Sequence, residues 1–406
     1  MLKKKTLRVL FFTLMLDMIG LGMVIPVIPI IFTDPSSPSF LLEGYSTQGQ
    51  YIVSGVITAL FGIILFFAAP ILGELSDVYG RKRLLTLGVG VLAFAQLLFG
   101  LGIEIGSLTL LFVSRAVAGL AGANFSIAQA SIADVSEPHE RAKNFGLIGA
   151  AFGIGFILGP VLGGWIAAAA HSAAAPFWFS GMLGIVNMFL VMFFLPETRK
   201  TSAALRKKFH LLRGIDNIRA AFRDKDASPV YAASFLYISG FSFFTSFIGI
   251  LLVSRFGQSE AEIGSFFGFV GVWIIVTQTV ILRILSKRYS ERTILRISLA
   301  CLAGAIALYP LAPSVFWVFM LAPLTSIPNG LSMANMSALV SKSVSVDKQG
   351  AALGINGSLG ALSSGLVPLL AGFGSGFLGI AAPFFVGGLL VAVAWGMMVL
   401  NHRKYA

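Results

Sequence analysis

Twelve apolar runs of about 19 to 27 residues divide this chain, near 7–33, 49–72, 84–102, 108–134, 144–170, 176–196, 229–255, 261–285, 294–312, 315–341, 350–373 and 377–401. A helix of ~20 residues crosses the ~30 Å hydrocarbon core of a bilayer, and backbone amides there have no water to bond, so runs of this length must be helical. They occupy most of the 406 residues and leave no room for a separate soluble domain. Composition agrees: 57% of residues are hydrophobic and 11% charged, where a soluble domain carries about 25% charged residues. The expected fold class is an all-α membrane protein with twelve transmembrane helices. The start, Lys3-Lys4-Lys5 and then an apolar run, looks like a secretory signal, but the run contains Asp17, Pro26 and Pro29 and lacks a small-x-small cleavage site. It reads as the first span.

A net charge of +12 invites a nucleic-acid partner, and its distribution argues against one. With the N terminus inside, segments 1–8, 81–83, 141–143, 199–225, 283–296, 342–348 and 403–404 hold 27 of the 29 Lys and Arg, whereas the outer segments carry Asp34, Glu43, Glu104, Glu260 and Glu262. This is the positive-inside asymmetry of an inner or plasma membrane protein with both termini cytoplasmic. Membrane lipid accounts for the basicity, and no nucleic acid is expected. The single cysteine, Cys301, excludes an intrachain disulfide and a cysteine-based metal site.

The chain repeats itself. Leu75-Ser76-Asp77-Val78-Tyr79 recurs as Leu285-Ser286-Lys287-Arg288-Tyr289, and Gly119-Leu120-Ala121-Gly122-Ala123-Asn124-Phe125-Ser126 as Gly330-Leu331-Ser332-Met333-Ala334-Asn335-Met336-Ser337. Gly146, Gly149, Pro160 and Gly164 recur as Gly354, Gly357, Pro368 and Gly372. Three matches in one order and at nearly one offset define two six-span halves, 1–196 and 229–406, in parallel duplication. Transporters built this way place substrate near the midplane between the halves and rock them to expose it alternately. The connecting segment 197–228 carries Leu205, Phe209, Leu212, Ile215, Ile218 and Phe222 at helical spacing among basic residues, and reads as an amphipathic helix on the cytoplasmic lipid surface.

Four motifs carry a family likeness. Gly73-Glu74-Leu75-Ser76-Asp77-Val78-Tyr79-Gly80-Arg81-Lys82-Arg83, read as the loop after the second span, closely resembles the signature loop of the major facilitator superfamily. Asp17-x-x-Gly20-x-Gly22-x-x-x-Pro26-x-x-Pro29 resembles the opening helix of the tetracycline exporters among its twelve-span drug:proton antiporters. Arg115-x-x-x-Gly119-x-x-Gly122-Ala123 is similar to that family's arginine motif, and Gly149-x-x-x-Gly153-x-Gly155-x-x-x-Gly159-Pro160-x-x-Gly163-Gly164 to its efflux-associated motif. The resemblance implies a proton-coupled exporter of a small molecule, expected as a monomer, with the proton as coupling ion and no other cofactor. It implies a conformational gate at Gly73, Asp77, Gly80, Arg81 and Asp134, with Asp77 facing the start of the eleventh span near Gly350 and Arg81 meeting Asp134. Departures separate the chain from tetracycline export: Val78 and Arg83 replace the usual Arg and Pro, the ninth span holds no acid, and none of His139, His171, His210 and His402 lies deep in a span.

The residues also speak for themselves. Gly149 and Gly153, and Gly155, Gly159 and Gly163, fall at i, i+4 spacing, which lets a neighbouring helix approach closely, and Pro160 bends the helix. Gly73 and Gly80 are expected to form tight turns at the membrane surface. Deep in the bilayer only Asp17 and Arg115 are charged. At ~1.5 Å per residue Asp17 lies about 15 Å from the inner surface and Arg115 about 10 Å from the outer one. Their depths differ by only ~5 Å, and an intramembrane ionisable residue marks a functional site by default, so they are the proton-coupling candidates. Gln96, Asn124, Asn187, Gln278, Asn335 and Asn356 are uncharged polar residues at middle depth, open to substrate contact or helix packing. Tyr237 and Phe241, with Phe243, Phe244 and Phe247, are candidates for an aromatic wall.

No phosphate loop, HExxH or paired intramembrane carboxylates are present, so neither an enzyme nor ATP coupling is expected. A proton-coupled drug exporter is the leading reading. A metabolite carrier and a transport-inactive membrane scaffold are the alternatives; mostly apolar cavity candidates with one acid favour the exporter. The topology is checked by impermeant thiol reagents: cysteines at Ser107 and Ser314 are expected to react from outside, and those at Ser202 and Ser343 from inside.

Overall fold

The computed structural model describes residues 2–137, 140–199, 213–223, 227–345 and 349–400. Twelve helices among them are long and apolar enough to cross a membrane: Lys3–Thr33, Thr47–Tyr79, Arg81–Glu104, Leu108–Val135, Leu147–Ala170, Ala175–Phe194, Ser228–Phe256, Glu260–Leu285, Glu291–Leu311, Val315–Lys342, Ala352–Leu378 and Ala382–Leu400. There is no strand among the described residues. We refer to these helices as the first to twelfth spans.

They form two compact units. One comprises Met1–Glu43, Ile63–Arg213 and Ser259–Gly268; the other comprises Gly44–Gly62, Gly214–Gln258 and Phe269–Ala406. In the first unit the first span packs on the fifth and sixth, and the third on the fourth and sixth. In the second unit the seventh packs on the eleventh and twelfth, and the ninth on the tenth and twelfth. The same pairs recur six spans later, which is the duplication seen in the sequence. Each unit takes a short segment from the opposite repeat, the start of the eighth span in one case and of the second in the other.

These short segments are seated by glycine on backbone. A Cβ at Gly264 would lie 2.5 Å from the Pro160 carbonyl oxygen, and one at Gly164 would lie 2.2 Å from that of Glu260. In the second unit a Cβ at Gly55 would lie 2.5 Å from the Pro368 oxygen, and one at Gly372 2.8 Å from that of Tyr51. Pro160 and Gly164 are the repeat partners of Pro368 and Gly372, so one crossing is built twice. Gly159 and Gly163 serve a second face: their Cβ positions fall 2.7 Å from Gly22 Cα and 2.5 Å from the Met23 oxygen of the first span. Backbones at that range gain dispersion that side chains would block, and this drives helix association where hydrocarbon surrounds both partners.

Two expectations are corrected. Gly149 and Gly153 have nothing within 4 Å of a Cβ position, so close packing in the fifth span begins only at Gly155, whose Cβ position is 2.3 Å from Met18 Cβ. The 73–83 segment is not a loop: the second span stays helical through Tyr79, Gly73 lies inside it, and the chain turns only at Gly80, with φ +99°. Its apolar run ends near 72, but helical hydrogen bonding continues once the polar side chains find partners of their own. The connecting helix, described over Arg213–Arg223, sets Ile218 against a core of Ala227, Val230, Tyr231 and Val340 and leaves Phe222 exposed, so it is anchored on protein along one side. Leu205, Phe209 and Leu212 lie outside the described residues.

Gly164→Val and Gly372→Val are expected to lower stability by about 1 to 3 kcal/mol or more, because backbone cannot yield to the added methyls. Gly149→Val, with open space around it, is expected to be neutral. Thermal unfolding of the purified protein in detergent makes the comparison.

Candidate functional site

The first span carries its acid just before a break. Its helix runs Leu2–Gly22, and a second segment, Val27–Thr33, starts after Pro26. The motif residues around Asp17 bring other helices in: a Cβ at Gly20 would lie 2.7 Å from Ser180 Oγ, and one at Gly22 3.0 Å from Gly159 Cα. Gln96 Nε2 donates to the Gly20 oxygen at 3.0 Å and to Ser180 Oγ at 3.2 Å, tying the first, third and sixth spans. The fourth span also breaks, into Leu108–Ala121 and Asn124–Val135, so Asn124 opens a helix at mid-span.

Asp17 is buried, and both of its oxygens are held. Asn124 Nδ2 donates to Oδ2 at 2.9 Å and Asn187 Nδ2 to Oδ1 at 2.9 Å, while Asn187 Nδ2 also lies 3.0 Å from the Thr13 oxygen. The fourth and sixth spans thus meet the first at one carboxyl group. Both amide oxygens, Asn124 Oδ1 and Asn187 Oδ1, are buried without a hydrogen-bond partner among the described residues, as is Thr13 Oγ1. A carboxylate accepts only, whereas a carboxylic acid must also donate. Half a turn of either carboxamide replaces a donor with an acceptor, so the site has a partner for both protonation states.

Arg115 is buried in the same unit and differs in its surroundings. Its Cζ sits 4.2 Å from the centre of the Phe99 ring, which stacks on Phe177 at 4.4 Å. Its Nε and Nη2 have no hydrogen-bond partner among the described residues. No ion pair joins it to Asp17 among the described residues. A guanidinium on an aromatic face is stabilised by the ring quadrupole, and desolvation strengthens that attraction to about 2 kcal/mol.

The other middle-depth candidates are engaged within their own unit. Gln278 Nε2 donates to the Gly330 oxygen at 3.1 Å, Asn335 Nδ2 to the Leu331 oxygen at 2.7 Å, and Ser234 Oγ to Asn356 Oδ1 at 2.6 Å. Tyr237 Oη donates to Asn329 Oδ1 at 2.8 Å, linking the seventh and tenth spans. Phe241 lies 5.7 Å from Phe244, which packs on Tyr309 at 4.7 Å and Phe384 at 6.3 Å; Phe243, Phe244 and Phe247 are buried, so this aromatic group is helix core.

The gate residues form one network. Arg81 Nη2 lies 2.5 Å from Asp77 Oδ1, its Nε 3.2 Å from Asp134 Oδ2, and its Nη1 2.5 Å from Ser76 Oγ. Sequence reasoning missed two members. Arg199 Nη1 contacts Asp77 Oδ1 at 2.5 Å, and the Glu197 carboxylate accepts from the backbone of Arg81 at 2.9 Å and Lys82 at 3.2 Å. Glu197 therefore caps the third span, where an anion faces the positive end of the helix dipole. Gly80 is required by its φ, which suits glycine, and a Cβ there would lie 2.5 Å from Glu197 Oε2 and displace the capping carboxylate. The signal in the sequence is an acid directly after a span, followed by a base, in Pro196-Glu197-Thr198-Arg199. In the second unit Glu291, the repeat partner of Arg81, pairs with Lys342 on the tenth span at 2.8 Å, so the ion pair is kept with its polarity reversed. Asp134 and Lys342 both close the helix that follows.

Comparison with known proteins fits this architecture. The family model of the Major Facilitator Superfamily matches residues 10–322 and 230–404, and the chain belongs to that superfamily of membrane transporters. It is 31% identical over 359 residues to a tetracycline resistance protein, class G, of Vibrio anguillarum, covering 87% of this chain and 86% of that one. It is 26% identical over 371 residues to the quinolone resistance protein NorA of Staphylococcus aureus, covering 91% and 89%. Among solved structures, a D-xylose-proton symporter superposes with a TM-score of 0.77 at 14% identity, over 98% of this chain and 97% of the other.

Asp77→Asn, Arg81→Ala and Glu197→Gln are expected to slow transport severalfold while leaving equilibrium substrate binding nearly unchanged, since the network sits at helix ends. Flux and binding measured on the same preparations separate the two effects.

Proposed function

We propose that this protein is a secondary active exporter that moves a small amphipathic compound out of the cell in exchange for protons, by alternating access. The observation that carries the reading is the Asp17 site, where two carboxamides from two other spans hold both carboxylate oxygens and each keeps a buried, unused acceptor. A group that must take up and release a proton in every cycle needs such reversible satisfaction, because an unpartnered polar atom in hydrocarbon costs several kcal/mol. The efflux relatives support export as the direction, and the basic segments support an inner or plasma membrane location with both termini cytoplasmic. Asp17 takes a proton from the exterior, releases it inside, and alternates in this with substrate. Arg115, held on Phe99, supplies fixed positive charge in the same unit. The Arg81 network biases which side is open.

The energetics suffice for resistance-level efflux. A membrane potential of 100 mV supplies about 2.3 kcal/mol per charge moved, and at ~1.4 kcal/mol per decade that sustains a gradient of roughly 50-fold.

In proteoliposomes with an imposed proton gradient, Asp17→Asn is expected to abolish uphill transport and drug-dependent proton flux. Its substrate binding should persist and lose its pH dependence across the neutral range. An Asp17→Asn protein that still concentrates substrate with unchanged proton flux would overturn the proposal, because no other acid lies at that depth.

A further inference from the structure

The eighth span leaves its regular track near its end. A π-helical turn at Thr277–Ile281 separates Glu260–Val276 from Leu282–Leu285. At this turn the span leans on the tenth: Gln278 Nε2 donates to the Gly330 oxygen at 3.1 Å, and a Cβ at Gly330 would lie 3.0 Å from Thr277 Cγ2. Beyond it the chain runs out to Leu285 and returns as the ninth span from Glu291, which packs on the tenth and twelfth. A groove of about 310 Å³ is left between the ends of the eighth, ninth and tenth spans, lined chiefly by Leu285, Tyr289, Ile294, Ile297, Cys301 and Pro328. Its serine hydroxyl, Ser298 Oγ, is engaged by the Leu295 oxygen at 3.1 Å and Ser332 Oγ at 2.8 Å. Apart from Tyr289 at its mouth and the Cys301 thiol, the groove therefore offers a guest hydrocarbon contact.

Its position fits a lipid chain. Ile297, Cys301, Gly304 and Leu308 are exposed along one face of the ninth span, an apolar stripe at helical spacing that suits acyl chains rather than an aqueous path. From Glu291 to Cys301 the ninth span descends about 15 Å along the groove, the depth of one leaflet of a ~30 Å core. Charge marks the mouth. Lys287 and Arg288 are exposed on the connection between the spans, Arg283 lies one turn before it, and none of the three pairs with a described carboxylate, whereas nearby Lys342 is neutralised by Glu291. Tyr289, half exposed, places an amphipathic ring between the cations and the apolar floor.

We propose that this groove is a binding site for an anionic phospholipid, one acyl chain lying along Ile294, Ile297 and Cys301 and the phosphate headgroup held by Lys287 and Arg288. The site lies within the second unit and is independent of what the protein transports.

Cys301, the only cysteine, lies in the groove and reports on its occupancy. Alkylation of the purified full chain by N-ethylmaleimide is followed in detergent with added dioleoyl phosphatidylglycerol or dioleoyl phosphatidylcholine. Phosphatidylglycerol should protect Cys301 at about a tenfold lower concentration, since each cation near the headgroup adds roughly a kcal/mol. Lys287→Gln with Arg288→Gln should erase that preference. Ile297→Trp, which fills the groove, should lose the phosphatidylglycerol retained in native mass spectrometry while keeping the parent's thermal stability. Equal protection by both lipids would overturn the headgroup assignment. Absence of protection by either, or protection by tetraphenylphosphonium alone, would overturn the site, the latter in favour of a route for amphipathic cations.

Discussion

Backbone must touch backbone in this fold. Helices in hydrocarbon gain nothing from hiding apolar side chains, so their association rests on close packing and on hydrogen bonds that hydrocarbon cannot replace. The Gly264–Pro160 and Gly55–Pro368 crossings meet that need at the same place in each repeat, with the same 2.5 Å from a Cβ position to a proline oxygen. Gly159 and Gly163 do the same for the first span. The acid at position 17 is held in register by these contacts, because the span that bears it is pressed against the fifth through Gly22 and Met23.

The polar chemistry obeys a matching rule. Every intramembrane group singled out by depth finds a partner inside its own unit, with the exceptions clustered around Asp17 and Arg115. Gln96, Gln278, Asn335, Asn356 and Tyr237 bond to backbone or to neighbouring helices and so act as ties. Unspent hydrogen-bonding capacity at Asn124 and Asn187 lies beside the buried acid Asp17, and that at Arg115 in the same unit, while Ser239, Trp273, Ser326, Ser363 and Ser375, also unpartnered among the described residues, are scattered through the second unit. At the helix ends charge is used differently: Arg81 is shared between Asp77 and Asp134, an arrangement whose strength depends on which carboxylates stay within reach.

Much of this was legible in the sequence because a bilayer leaves few options. Span number, the duplication and the Arg81–Asp134 pair followed from apolar length, repeated motifs and a family likeness. Three things did not. Helix ends were misplaced at Gly73 because hydropathy reports where the membrane ends, while the helix of the second span continues to Tyr79. Asn187 was visible as a polar residue at middle depth, but its pairing with Asp17 depends on the rotation of two helices, which spacing within one helix does not encode. Glu197 and Arg199 belonged to a segment that reads as linker, and although an acid and a base directly after a span mark a candidate, they do not say which helix end, 116 residues away, they meet.

That last contact gives the first half a direction in time. The third span begins at Arg81 with open amides, and the carboxylate that satisfies two of them is made only after the sixth span is complete. During synthesis the third span must therefore wait, its leading end hydrated, while more than a hundred further residues enter the membrane. Glu197 and Arg199 then tie the segment after the sixth span to the turn between the second and third, a contact that can form only once all six spans of the first half have been made.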